Sequence, residues 1–366
     1  MSSEPISVSV LTGFLGAGKT TVLNRLLKEP EMADTAVIIN EYGDVAIDHL
    51  LVEQASDGVI QLADGCLCCT VRGELVDTLA DLVDRMQTGS IGKLRRVIIE
   101  TTGLADPVPV LQSLMAHPVL VQAYRLDGVI TLVDAVNGAA TLDAHPEAVK
   151  QVAVADRILI SKEDIADDAQ LAALRNRLAH LNPGAGIFST SVHHLAPILT
   201  GCGLYDPSTK TADVARWLGE ESDHHHDHHH QDHEHHHHHH HHHHDDRISS
   251  LSLRYDRALP FSSVETFLEL LRNVHGDGLL RLKGIIEVAE RPERPLVLHA
   301  VQKTFHPPAW LAEWPDAVRG TRLVLIGFDL QEDHVRRLFA AITNQPGIDQ
   351  PDRAAIEDNP LAVGRY

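Results

Sequence analysis

Apolar and polar positions alternate along the first half of the chain in short blocks that predict strands separated by helices. Apolar runs of strand length occur at residues 6–11, 36–39, 97–99, 128–133 and 157–160. Apolar residues at helical spacing occur at 20–28, 73–86, 109–115, 146–155 and 169–181. Alternating strands and helices are typical of a mostly parallel sheet covered on both faces. We therefore predict an α/β domain over residues 1–205.

The pattern changes in the second half of the chain. Strands are predicted at 248–253, 296–301 and 322–328, and helices at 263–274 and 332–342, with Ser262 or Ser263 as a helix N-cap. Strict alternation is absent here, so we predict a smaller α+β domain over residues 248–366. The intervening residues 206–247 have little apolar periodicity and predict a flexible linker.

The composition argues against some classes of binding partner for this chain. Its 366 residues carry a formal net charge of −20, which disfavours nucleic acid and anionic membranes as partners. No apolar run is long enough to span a bilayer, and the N-terminus lacks the features of a signal peptide. Three of the four cysteines are clustered, which does not suit a disulfide framework. A reducing cytoplasm is the expected setting.

A phosphate-binding loop is predicted directly after the first strand. Residues 13–20 read G-F-L-G-A-G-K-T and fit the pattern G-x-x-x-x-G-K-[ST]. Backbone N–H groups of such a loop surround phosphate oxygens, its lysine compensates their charge, and its threonine hydroxyl can ligate Mg²⁺. The predicted phosphate contacts are Gly13, Gly16, Ala17, Gly18, Lys19, Thr20 and Thr21.

Two further segments predict that the nucleotide is GTP. Ser161, Lys162 and Asp164 follow an apolar run and match the guanine-binding pattern [NT]-K-x-D except for the serine. A carboxylate at the last position accepts two hydrogen bonds that guanine donates and adenine does not. Glu100 and Gly103 follow another strand, where GTPases usually carry D-x-x-G. We expect Glu100 to hold Mg²⁺ through water and the Gly103 N–H to contact the γ-phosphate.

A cysteine cluster lies between the phosphate loop and Glu100. Cys66, Cys68 and Cys69 are soft ligands, and three thiolates with one further donor would complete a tetrahedral Zn²⁺ or Cu(I) site. Buried inert thiols and a vicinal disulfide are the alternatives. Cys202 stands apart from the cluster, and we interpret it as structural.

Taken together, these motifs resemble those of the CobW-type GTPases, a family that includes metallochaperones for zinc and cobalt. The resemblance rests on the phosphate loop, residues 40–44 (N-E-Y-G-D), 65–69 (G-C-L-C-C), 100–104 (E-T-T-G-L) and 161–164 (S-K-E-D). It extends to residues 281–284 (R-L-K-G) and 321–327 (T-R-L-V-L-I-G). It implies that the three clustered cysteines hold the transferred metal, with Glu41 as an additional ligand and Asp48 as a sensor of Mg²⁺.

Residues 223–246 carry seventeen of the 27 histidines of the chain, interleaved with acidic residues. Neutral imidazoles bind Zn²⁺, Ni²⁺, Co²⁺ and Cu²⁺, and a flexible tract binds them with little geometric selectivity. We interpret the tract as a metal buffer that feeds the cysteine site. A solvated spacer is the alternative.

The sequence therefore predicts a GTP-hydrolysing metallochaperone that transfers a transition metal, Zn²⁺ ahead of Co²⁺, to a client metalloprotein. Two alternatives remain: a metal-storing or metal-sensing protein that binds GTP, and a cobalt chaperone linked to cobalamin synthesis. Whether the chain forms a homodimer is left open. Its cofactors would be GTP and Mg²⁺.

Overall fold

The computed structural model describes residues 5–40, 59–61, 70–202, 247–315 and 317–343. These residues form two β-sheets, one on either side of residues 203–246 in the sequence.

The first sheet has seven strands in the order β3-β2-β4-β1-β5-β6-β7, and every neighbouring pair is parallel. The strands are β1 Ile6–Gly13, β2 Thr35–Asn40, β3 Val59–Gln61, β4 Arg96–Thr101, β5 Tyr124–Asp134, β6 Arg157–Ser161 and β7 Gly186–Ser189. Strand β1 lies between β4 and β5, so the segments that follow these strands meet at one edge of the sheet. The predicted parallel α/β architecture is confirmed.

Eight helices belong to the described part of this unit. They are α1 Lys19–Leu26, α2 Thr70–Gln87, α3 Val108–Ala116, α4 Pro118–Ala123, α5 Gly138–Ala144, α6 Pro146–Ala153, α7 Asp168–Leu181 and α8 Ala196–Leu199. The five predicted strands and five predicted helices are all present, with ends shifted by a few residues. The prediction missed β3, β7, α4, α5 and α8, each too short to show a clear apolar period.

Helices cover both faces of the parallel sheet. On one face, α1 buries Val22, Leu23 and Leu26 against β-strand residues such as Ile98 and Leu132. The opposite face carries α2 to α7, in two adjoining apolar clusters. The central strand β1 is buried on both sides, and only Ser7 in it is partly exposed. Continuous apolar runs, without alternation, are the sequence signature of such strands.

The second sheet is antiparallel and has the main order β11-β10-β9-β13-β8, with β12 paired to β10. Its strands are β8 Ile248–Tyr255, β9 Leu279–Ile286, β10 Leu296–Val301, β11 Thr304–Phe305, β12 Ala309–Trp310 and β13 Thr321–Phe328. Helices α9 Phe261–His275 and α10 Glu332–Ile342 pack on one face of this sheet. The predicted α+β class is confirmed, although the prediction did not include β9 as a strand.

The predicted N-cap of α9 is wrong. The cap residue is Pro260 in an extended conformation, not Ser262 or Ser263. The Phe261 N–H instead donates to both carboxylate oxygens of Glu290, at 3.1 and 3.0 Å. A distant carboxylate thus supplies the acceptor that a local serine usually provides, and sequence spacing gives no signal of it.

The two sheets share one apolar cluster. Leu280, Val301 and Ile326 of the second sheet are buried together with residues of the first unit, including Leu126 and Val154. Within the described ranges, no helix is long and apolar enough to cross a membrane.

Candidate functional site

The phosphate loop lies between β1 and α1, as predicted. Gly13 ends the strand with φ = 140°, and a Cβ there would lie 2.4 Å from the Leu132 carbonyl oxygen of β5. Only glycine fits this approach. Gly16 and Gly18 also have positive φ, 73° and 92°. Ala17 is buried, and its carbonyl accepts a hydrogen bond from the Ser161 hydroxyl at 2.7 Å.

Lys19 and Thr20 occupy the first turn of α1. The Lys19 Nζ donates to the carbonyl oxygens of Gly13 at 2.9 Å and Phe14 at 3.4 Å, so the ammonium group lies over the loop. The Thr20 hydroxyl donates to Glu100 Oε1 at 3.0 Å. Glu100 lies on β4 and is 5% exposed. The structure therefore brings together three residues that the sequence analysis placed in one site. Thr21 is exposed on the outer side of the same turn.

A tight turn follows β4 and contacts the phosphate loop. The Ala105 N–H donates to the Thr102 carbonyl at 3.1 Å, which closes the turn. Gly103 is buried, and a Cβ at this position would lie 2.5 Å from the backbone nitrogen of Leu15. Gly103 is therefore held against the phosphate loop.

The segment after β6 contacts the loop from the other side. Ser161 ends β6, and Lys162 follows in a left-handed conformation with φ = 59°. The Lys162 Nζ lies 2.6 Å from Asp134 Oδ2. Asp134 also accepts hydrogen bonds from the N–H groups of Val136 at 2.8 Å and Asn137 at 3.2 Å. Burial raises the pKa of Asp134, but these partners outweigh it and hold the pKa below its usual value.

Asp164 lies in a short 3₁₀ helix, Glu163–Ile165, and is exposed. The neighbouring Glu163 is fixed by an ion pair with Arg175 of α7. Asp164 thus projects from an anchored turn at the sheet edge that carries the phosphate loop.

A cavity of about 210 Å³ adjoins the phosphate loop on the face covered by α5 and α6. Its lining includes Phe14 and Gly16 of the loop, with Asp134, Lys162 and Gln151.

The predicted metal ligands Glu41, Asp48, Cys66, Cys68 and Cys69 lie outside the described residues. Among the described ones, no group of three or more His, Cys, Asp or Glu side chains could hold a metal ion. Cys202 is buried, its thiol donates to the Ile198 carbonyl at 3.3 Å, and burial raises its pKa. A protonated buried thiol is in keeping with the structural interpretation of Cys202.

Neither Asp134 nor Gln151 was predicted from the sequence. Asp134 could have been found, because it is a carboxylate that directly ends an apolar strand at the nucleotide-facing edge. Gln151 gives no such signal, because a glutamine within an amphipathic helix is ordinary.

Both units of the chain match models of known protein families. The model of the CobW/HypB/UreG nucleotide-binding domain matches residues 7–189, and that of the cobalamin synthesis protein cobW C-terminal domain matches 248–343. The zinc chaperone YjiA of Escherichia coli is 35% identical over 93% of this chain and 99% of its own length. The zinc chaperone CobW of Pseudomonas aeruginosa is 35% identical over 93% of this chain and 90% of its own.

Solved structures agree with these sequence matches. The crystal structure of Zn(II)-bound YjiA GTPase from E. coli superposes with a TM-score of 0.65 at 30% identity, covering 93% of this chain and 99% of that one. With both domain models matched and full-length relatives at this identity, the chain belongs to the CobW family.

Proposed function

We propose that this chain is a GTP-hydrolysing metallochaperone that binds Zn²⁺ and transfers it to a client metalloprotein. GTP binding and hydrolysis are supported by the contact of Thr20 with the buried Glu100, next to a phosphate loop over which the Lys19 side chain folds. The metal half is supported by relatives named zinc chaperones that match nearly the whole chain.

The described residues have separate roles in binding and hydrolysis. Backbone N–H groups of the phosphate loop bind phosphate oxygens, and Lys19 compensates charge that develops on them. Gly103 lies in a turn packed against the loop, where its N–H would donate to the terminal phosphate. Asp164 accepts hydrogen bonds from guanine. Asp134 fixes the side chain of Lys162, which lies two residues before Asp164.

The donor set suits Mg²⁺. This ion prefers carboxylate, hydroxyl and water oxygens in octahedral geometry. Thr20 and Glu100 bring a hydroxyl and a carboxylate within 3.0 Å of each other at the carboxyl edge of the sheet. When bound there, Mg²⁺ would neutralise charge on the β and γ phosphates. Thr20 and Glu100 would hold it.

For the transferred Zn²⁺ we propose thiolate ligands from Cys66, Cys68 and Cys69, with Glu41 as an added ligand and Asp48 as a Mg²⁺ sensor. Thiolates favour Zn²⁺ over Co²⁺.

The whole chain contributes to this proposal. We propose a GTPase domain over residues 1–205, a His/Asp-rich linker over 206–247 that buffers metal, and a C-terminal domain over 248–366. We propose the cytoplasm as the setting, since thiolates must stay reduced to bind metal.

Metal-dependent GTP binding tests the proposal against a GTP-binding metal store. GTP affinity and turnover are measured at several fixed free Zn²⁺ and Co²⁺ concentrations, for wild type and for Cys66→Ala, Cys68→Ala and Cys69→Ala. We expect the cognate metal to change GTP affinity through a coupling of about 1–3 kcal/mol, and each variant to lose that response. Cys202→Ala is the matched control, because it removes a cysteine outside the cluster. Identical GTP affinity and turnover with and without metal would contradict the chaperone proposal. A response to Co²⁺ alone would favour a cobalt chaperone.

A further inference from the structure

Helix α6 contacts both phosphate-binding segments of the site. At its N-terminus, the ring of the cap residue His145 stacks on Phe14 of the phosphate loop with centroids 4.4 Å apart. One side of the helix lines the cavity beside the same loop. Toward its C-terminus the helix reaches the turn that contains Gly103.

Gln151 makes the contact with that turn. Its side chain is 1% exposed, and its amide Nε2 donates to the carbonyl oxygens of Gly103 at 3.2 Å and Ala105 at 3.0 Å. One amide group thus restrains two carbonyls of the turn. The preceding residue, Lys150, adds a second contact, because its Nζ lies 3.1 Å from Asp106 Oδ2.

Buried side chains fix the helix itself. The Thr131 hydroxyl of β5 donates to the Gln151 carbonyl at 2.7 Å. The Asn182 amide donates to the carbonyls of Val152 at 2.8 Å, Ala153 at 3.2 Å and Ala155 at 2.9 Å. These bonds add side-chain donors to carbonyls at the C-terminal end of the helix and just beyond it. The Gln151 amide therefore extends from a helix that is anchored to the sheet.

The turn is restrained in the position where it packs on the phosphate loop. Gly103 approaches Leu15 so closely that no side chain would fit between them. A restraint in this position pre-organises the Gly103 N–H for a terminal phosphate and lowers the ordering cost of binding it. A nucleotide that lacks the γ-phosphate gains nothing from it.

We propose that Gln151 is a positioning residue of the nucleotide site, which holds the Gly103 turn against the phosphate loop and so sets the preference for GTP over GDP. This inference rests on the proposed GTPase function. Lys150 reinforces the same restraint through Asp106.

The test compares nucleotide affinities of Gln151→Met, which keeps the length of the side chain and removes its donors. Dissociation constants for a non-hydrolysable GTP analogue and for GDP are measured with Mg²⁺, together with kcat and KM for GTP and the thermal midpoint. We expect the ratio of analogue affinity to GDP affinity to fall about tenfold, because two hydrogen bonds to the turn are lost. GDP affinity should change by less than about twofold, because GDP does not contact the turn.

Two further variants separate positioning from stability. Tyr124→Phe removes a buried hydrogen bond to the Leu79 carbonyl at the opposite end of β5 from the turn, and should lower the thermal midpoint while leaving the affinity ratio unchanged. Lys150→Met acts at a partly exposed site that folding tolerates, and should lower the ratio in the same direction as Gln151→Met, by a smaller factor.

The outcomes distinguish this inference from the proposed function. If wild type hydrolyses GTP and the ratio in both Gln151→Met and Lys150→Met equals that of wild type and of Tyr124→Phe, the positioning role is overturned while the GTPase stands. If Gln151→Met does not fold, Lys150→Met alone decides, and an unchanged ratio overturns the role. If wild type itself neither hydrolyses GTP nor distinguishes the analogue from GDP, the proposed function fails, and this inference with it.

Discussion

Replacing Asp156 by asparagine should destabilise the protein strongly, because this carboxylate is the acceptor in a buried cluster of charges between the two sheets. Its side chain is 0% exposed, and its Oδ1 lies 2.6 Å from Arg281 Nη2 and 2.8 Å from Lys283 Nζ. Its Oδ2 accepts the N–H of Val129 at 2.9 Å. Burial raises the pKa of Asp156, but Arg281 and Lys283 outweigh it and hold the pKa well below its usual value.

The magnitude follows from what the substitution leaves behind. Removing one partner of a buried ion pair costs about 3–5 kcal/mol, because the remaining charge is uncompensated. Lys283 can limit this cost by losing its proton, since burial already lowers its pKa. Arg281 is 2% exposed and cannot deprotonate. We therefore expect a loss near the lower end, about 3 kcal/mol in the free energy of unfolding.

Urea unfolding followed by circular dichroism and tryptophan fluorescence measures this loss. A decrease of about 3 kcal/mol should lower the urea midpoint by up to about 1 M, because the urea dependence is steep for a protein of this size. Asp329→Asn is the matched control, because Asp329 pairs with Arg247, which directly precedes β8, at an exposed site. This substitution should leave the midpoint unchanged. Equal midpoints for the two variants would refute the assignment of a buried, stabilising carboxylate.

The difference between wild type and Asp156→Asn should also depend on pH. Because the pKa of Asp156 is lowered on folding, its contribution is fully present above the unfolded value of about 4 and is lost as pH falls through the lower folded value. The two unfolding midpoints should therefore converge below about pH 4. A difference that stays constant down to pH 2 would contradict this account.

Three further predictions concern the nucleotide site and the linker. Lys19→Ala should abolish GTP turnover, because it removes the positive charge that compensates the phosphates. Normal turnover in a steady-state phosphate-release assay would refute the phosphate-loop assignment. Asp164→Asn should weaken GTP binding by about 2–3 kcal/mol while leaving inosine triphosphate, which lacks the exocyclic amine, less affected; equal losses in calorimetric titrations would argue against direct guanine contact. Deleting residues 223–246 should lower the number of bound Zn²⁺ ions without changing the thermal midpoint of metal-free protein, and a large drop in that midpoint would assign the tract a structural role.

Elements with long apolar runs could be predicted from the sequence, and short or partner-dependent features could not. The strands around β1 are buried on both sides, so their runs identify them directly. Strand β9, Leu279–Ile286, was missed because Arg281 and Lys283 interrupt its apolar pattern. Both cations are buried there, and Asp156, which is distant in the sequence, compensates their charge.

The nucleotide site shows the same division. Gly13, Lys19 and Thr20 could be identified because one local motif contains them all. The partnership of Thr20 with Glu100 spans 80 residues, and its position after a strand was the available signal. Gln151 contacts a turn 46–48 residues earlier through its side chain amide, and no local pattern marks such a residue.

The apolar cluster shared by the two sheets means that neither half is an independent module. Removing the C-terminal sheet would remove Leu280, Val301 and Ile326 from this cluster. The apolar surface of the first unit around Leu126 and Val154 would then be exposed to water. A shortened protein ending before residue 247 would be prone to self-association, so its nucleotide affinity would report on a damaged surface as well as on the site. Heat should melt the intact protein in one cooperative step, and substitutions among these shared residues should lower the melting temperature of both sheets together.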